Sequence, residues 1–319
     1  MKIHHNEQGF TLVELMITLV LSLLITYGIA QVLISSNQSS SSSDGLSEAQ
    51  ETARFVMSSL GKQIRASGAN SIKNNSIKTR AIMGCDVPAL NAINACSAEN
   101  NIGATEANIT ITSANALNGG LVALSGDRLA LAWVPPTSLN YPPLQGEAAI
   151  PTFPAITTDC TGASLAGVTS DTSIVNVFWV SLDPQTVSAP PDPSTERNSL
   201  FCQGHLFDST NQTVIASGTP QVIANGVEAL QVLYGEATDP LPTNGSRNVS
   251  RYVNANEVAN WNDVYAIKIA IMTRSISDVT NSAANKQYIM LDAGLYNFTD
   301  TVNRQVFSST FAFSNFRDE

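Results

Sequence analysis

One carboxylate, four cysteines and one histidine are the side chains whose type and setting could do chemistry in this sequence. Glu14 is the sole acidic or basic residue in the apolar run Phe10–Ile34 (FTLVELMITLVLSLLITYGIAQVLI), just after Gly9. An isolated carboxylate in such a run costs about 2.5–3.5 kcal/mol to bury in lipid, so it needs a partner or a task. Cys85 and Cys96 close a short loop, while Cys160 and Cys202 bracket a longer Pro-rich segment. Four cysteines allow three pairings. Pairing 85–96 with 160–202 is preferred, because partners near in sequence need less chain closure. No C-x-x-C pair occurs, and His205 is the only histidine beyond the first few residues, so neither a metal nor a cofactor is expected. His205 near Asp208 with scattered serines has the makings of a hydrolase, but no G-x-S-x-G elbow accompanies them. No enzymatic activity is expected.

The element that positions Glu14 is a helix. At about 1.5 Å per residue the run reaches roughly 37 Å, against a hydrocarbon core of about 30 Å. No second run of that length follows, so one membrane span is expected at 10–34. Behind it, Leu46–Arg65 places Ala49, Ala53, Val56, Leu60 and Ile64 on one stripe, able to lie along a sheet. Between the two lies Ser35–Ser43, rich in poor helix formers. The reading favours one continuous helix through 35–66, with Gly28 a weak point inside the span or a site of close helix packing.

Strands are expected at Asn108–Ser113, Arg128–Val134, Ser173–Val180 and Asn211–Ala216. The best patterned lie near the end. In Val264–Arg274, Tyr265, Ile267, Ile269 and Ile271 face one way, and Lys268 and Arg274 the other. In Arg304–Phe313, Phe307, Phe311 and Phe313 share a face with Ser309. Such alternation predicts antiparallel strands with one buried face. Pro- and Gly-rich turns separate them, and no linker divides residues 67–319. The fold class is α+β: a long amino-terminal transmembrane and amphipathic helix packed on one antiparallel β-sheet domain. Trp179, Trp261 and Tyr265 read as core aromatics. The sequons at Asn108, Asn211, Asn248 and Asn297 read as chance in so much Asn, Ser and Thr.

Composition places that domain outside the cytoplasm. Hydrophobic content of 43% with 13% charged residues suits a globular domain. Lys2 and the amino terminus precede the span, and Arg54 is the first base after it. This favours an amino terminus in the cytoplasm and a periplasmic domain, where disulfides persist. A net charge of −10 gives no footprint for nucleic acid. Lys62, Arg65, Lys73, Lys78 and Arg80 are the nearest to a basic patch and read as a solvated face.

The leader MKIHHNEQG, the Gly9–Phe10 junction and Glu14 resemble the class III signal of type IV prepilins. An ordinary secretory signal has a shorter apolar core and a small-residue cleavage site after it. The blocks 48–68, 222–235, 256–275 and 302–315 resemble PilW-type minor pilins, whose fold is type IV pilin-like. The resemblance implies that a prepilin peptidase removes residues 1–9 after Gly9. It implies N-methylation of Phe10, and a role for Glu14 in drawing in the terminal amine of a neighbouring subunit. It implies a structural minor pilin in a priming or tip complex, with other minor pilins and the major pilin as partners and a PilY-type tip adhesin as a further candidate. Before assembly the protein would sit in the inner membrane, and afterwards in the surface pilus. The sequence departs from the family pattern after Tyr234, where only Glu236 and Asp239 stand in for an aspartate run, too few oxygens for Ca²⁺. It departs again at Phe313–Phe316, where an arginine is usual before Asn315. The alternatives are a minor pseudopilin of a type II secretion system, usually a shorter chain, and a DNA-uptake receptor, which the acidic balance disfavours.

Overall fold

The computed structural model describes residues 11–67, 82–85, 126–133, 158–165, 172–183, 197–208, 213–237, 248–259, 263–275, 284–293 and 295–313. Helix α1 runs unbroken over Leu12–Ala66, 55 residues or about 82 Å. It continues through Ser35–Ser43 even though serine is a poor helix former. Its end is sealed by Ser67, whose N–H donates to the carbonyls of Gln63 and Ile64. The predicted stripe is the buried face: Ala49, Ala53, Val56, Leu60 and Ile64, with Gly45 and Gly61 added. Gly61 is required by close approach. A Cβ there would lie 2.6 Å from the Phe311 ring.

Two antiparallel sheets receive this helix. The first runs β1 (Ile82–Cys85), β2 (Arg128–Trp133), β3 (Thr172–Leu182), β4 (Asn198–Asp208), with β5 (Thr213–Ser217) and β6 (Gln221–Asn225) sharing the far edge of β4. The second, in spatial order, contains β12 (Arg304–Ala312), β9 (Val264–Arg274), β7 (Val227–Glu236) and β8 (Arg251–Val253). One nearly continuous segment joins them, β6 in the first sheet and β7 in the second. Gly226 makes the corner at φ 72°, a left-handed conformation that favours glycine. Its carbonyl accepts from the Arg274 N–H at 2.9 Å. Asp127 adds a second tie, its carboxylate accepting from the Val232 N–H at 2.7 Å.

The main core lies between the helix and the inner faces of both sheets. It gathers Val56, Leu60 and Ile64 with Leu131, Phe178 and Leu200 of one sheet and Leu230, Ile267 and Ile269 of the other. The expected strands at 173–180 and 264–274 form in full, 128–134 forms as Arg128–Trp133, 304–313 as Arg304–Ala312, and 211–216 appears as β5 from Thr213, with Val134, Asn211 and Gln212 outside the described residues. Asn108–Ser113 lies outside the described residues. Phe307, Phe311 and Phe313 share the helix side of β12, as their spacing predicts.

The one-face expectation for β9 is corrected. Ala270, Met272 and Arg274, on the face opposite Ile267 and Ile269, are also buried. A hairpin of β10 (Ala284–Ile289) and β11 (Leu295–Asp300) covers them with Tyr296, Phe298 and Met290. A buried ion cluster anchors this third layer. Arg304 grips both carboxylate oxygens of Asp300, each at 2.7 Å, and also bonds Glu228. Arg274 reaches Glu228 at 3.4 Å, and Arg304 lies 3.7 Å from the Phe298 ring centroid. Burial alone would raise the Asp300 carboxyl, but the hydrogen bonds from Arg304 outweigh it and hold it below its usual value. Burial likewise opposes the Arg304 charge, yet Asp300 and Glu228 raise its pKa. Tyr296, donated to by Gln231 at 3.0 Å, is pushed up to about 12, chiefly by burial.

Candidate assembly site

Glu14 sits in the first turn of α1 and folds back onto its beginning. The Glu14 N–H donates to Thr11 Oγ1 at 3.3 Å, and the Thr11 N–H donates to Glu14 Oε2 at 3.2 Å. The Thr11 hydroxyl adds a 3.3 Å bond to the same oxygen. This reciprocal box satisfies two orphan donors at the helix start. A carboxylate also suits the positive end of the helix dipole. The pattern T-x-x-E before an apolar run was a legible signal for it. The carboxylate therefore lies in the first turn of the described helix, bonded to Thr11. Gly9 and Phe10 themselves lie outside the described residues.

Around and behind Glu14 the helix is naked. Every large apolar side chain from Leu12 to Ile34 is at least 50% exposed. No described residue of the chain covers residues 12–40. A helix apolar on all sides is stable only inside lipid or among other helices. It meets the length and hydropathy of one membrane-spanning helix.

The cysteines divide. Cys160 and Cys202 form a disulfide with Cα atoms 6.4 Å apart, as the preferred pairing expects. It fastens the 158–165 loop to β4 and puts Cys202 in the main core. Cys85 falls on β1, opposite Arg128, but its side chain and Cys96 lie outside the described residues. Sequence reading missed how the disulfide loop reaches the helix. The Cys160 N–H donates to Asn176 Oδ1, and Asn176 Nδ2 donates to Gln63 Oε1, both at 3.1 Å. The signal was a polar Asn inside the apolar strand Ile174–Val177. Asp159 caps the same loop, accepting from the Thr161 and Ala163 N–H groups at 2.8 and 3.0 Å.

His205 is buried, its Nδ1 at 2.8 Å from Ser217 Oγ between β4 and β5. Trp179 is buried and stacks on Phe201, with ring centroids 5.8 Å apart. Tyr265 is half-buried on β9, and Trp261 lies outside the described residues. Glu236 is occupied: Arg251 holds Oε2 at 2.6 and 2.9 Å, and the Ala259 N–H donates to Oε1 at 3.0 Å. Among the described residues no group of three His, Cys, Asp or Glu side chains is placed to hold a metal. Asp239 is outside them. Arg65 sits 5.9 Å over the Phe311 ring near exposed Lys62, while Lys73, Lys78 and Arg80 are also outside. Asn248 and Asn297 are exposed, and Asn108 and Asn211 are not among the described residues.

Residues 191–315 match the family model of the type IV pilus-assembly protein W. Residues 4–26 match the prokaryotic N-terminal methylation motif. The first match spans β4 to β12, hence the second sheet, its covering hairpin and the far half of the first sheet. The second spans the start of α1 and Glu14. No curated protein and no solved structure matches the chain. The two matches support a type IV pilus-related minor pilin.

Proposed function

We propose that this protein is a structural minor pilin that joins the priming or tip complex of a type IV pilus. The observation that carries the proposal is the division of α1. Its second half is sealed into the domain, while its first half exposes apolar surface all round and ends in a single carboxylate. A prepilin peptidase cuts after Gly9 and the new terminus at Phe10 is methylated. The free amine of one subunit then meets Glu14 of the next, since two charges in apolar packing are tolerable only as a pair. In the bilayer the span lies with its amino terminus in the cytoplasm and the domain in the periplasm. On assembly the apolar helices exchange lipid for one another, so packing and the charge pair set register. The outer domain selects neighbours among other minor pilins, the major pilin and a PilY-type adhesin.

The test is the amount of shearable surface pili in a strain lacking the gene. Sharp loss, restored by the intact gene, is the expected result. Normal piliation together with a defect in protein export would overturn it in favour of a type II secretion pseudopilin.

A further inference from the structure

The second sheet ends at β12, and among the described residues no strand pairs with its outer edge. The Phe313 N–H donates to the Tyr265 carbonyl at 3.0 Å, and the Asn303 carbonyl accepts from the Ser275 N–H at 2.9 Å. Odd-numbered residues of β12 therefore exchange hydrogen bonds with β9. In an antiparallel ladder the alternate residues point their backbone groups the other way. These are Arg304, whose backbone meets the Tyr288 hydroxyl, and Val306, Ser308, Thr310 and Ala312, and among the described residues no strand lies on that side.

Exposed edges are normally blunted by Lys, Pro, bulges or short length. Residues 305–312 (QVFSSTFA) hold no charge and no proline, and β12 keeps its register with β9 over nine residue pairs without a shift. The other strands at sheet ends contrast with it. β8 has three residues, one of them Arg251, β1 has four, and β5 and β6 both shift register against β4. The outward side chains of β12 are small, with Ser308, Thr310 and Ala312 exposed, so another backbone can approach closely. On the helix side Phe307, Phe311 and Phe313 are only half-buried.

We propose that the β12 edge takes up an extended strand from a neighbouring pilin-type subunit, continuing the sheet across the subunit boundary. The inference rests on the minor-pilin reading. β12 runs alongside α1 in the same direction, with Asn303 bonded to Ser42 at its start and Phe311 against Gly61 at its end. In subunits that pack their α1 helices parallel, the β12 edges of neighbouring domains therefore all run in one direction. Antiparallel pairing of two β12 edges would set two α1 helices head to tail, which one bilayer cannot host in a single orientation. The contact proposed is heterologous, with β12 meeting a different strand of its neighbour. Main-chain hydrogen bonds provide the affinity in such strand addition.

Amide hydrogen exchange on the full-length protein tests this, comparing the detergent-solubilised form with sheared pili. Val306, Ser308 and Thr310 should exchange fast in detergent and at least about tenfold slower in pili. Ser309 and Phe311, bonded to β9, should be slow in both. Two variants complete the test: Thr310→Pro, which removes an outward N–H, and Ser308→Lys, which adds a charged gatekeeper. Each should melt like wild type yet be recovered in sheared pili about tenfold less, the equivalent of one or two lost hydrogen bonds. Wild-type recovery of both variants, or fast exchange at Ser308 and Thr310 in pili, would overturn the strand addition alone. Absence of the wild-type protein from pili would overturn the pilin reading and this proposal with it.

Discussion

The two halves of α1 have the same backbone and opposite surroundings. Residues 12–34 are exposed on every side, whereas Gly45, Ala49, Ala53, Val56, Leu60, Gly61 and Ile64 are buried against two sheets. The first half is apolar all round, and the second only along a stripe of small and aliphatic residues. A stripe suffices when one face meets a sheet; an all-round apolar surface needs a solvent of its own. The domain should therefore be indifferent to the first half, and assembly should depend on it. Between them, residues 35–43 stay helical without packing, apart from Ser42 against Asn303.

The largest effect expected in the second region comes from its ion cluster. Arg304→Ala leaves Glu228 buried without its main partner and should destabilise the domain by about 3–5 kcal/mol. Urea unfolding of the full chain in detergent measures this; a loss below that of a surface change would remove the cluster from the account. Opening the Cys160–Cys202 bridge comes next. It closes a separation of 42 residues and should be worth about 2–4 kcal/mol. Melting that is unchanged by reductant, or by Cys160→Ser with Cys202→Ser, would contradict a structural role.

A smaller effect is the pH dependence of Asp300. Its carboxyl lies below the ordinary value when folded, so its contribution is present above that ordinary value. It is lost as the pH falls through the folded one. Asp300→Asn should therefore flatten the acid limb of a melting-against-pH curve, and an unaltered limb would show that Arg304 does not set this carboxyl. The smallest effect belongs to the first region. Leu24→Ala removes a side chain 63% exposed, and domain melting should stay within about 0.5 kcal/mol. A larger change would mean that the domain senses the naked half.

The helix was legible because its two patterns, a continuous apolar run and a stripe, each extend over many residues. Ala49, Ala53, Val56, Leu60 and Ile64 were identifiable from spacing alone. β9 and β12 were legible because strict alternation survives on their helix-facing side. The second buried face of β9 was not, since it depends on a hairpin whose strands lie 10–26 residues further on by number. The ion cluster was invisible for the same reason: Glu228 and Arg304 stand 76 residues apart and meet only through sheet register. The change of sheet at Gly226 hides inside one apolar stretch, 222–235. Glu14 was legible as an anomaly, and Thr11 supplies its local partner.

The most direct test of the central claim is the amount of the Glu14→Ala protein in sheared pili, measured beside its leader processing and melting. The expected result is a leader cut after Gly9, wild-type melting of the outer domain, and strong loss from the pilus fraction. Wild-type recovery of a processed, folded Glu14→Ala protein in pili would contradict it.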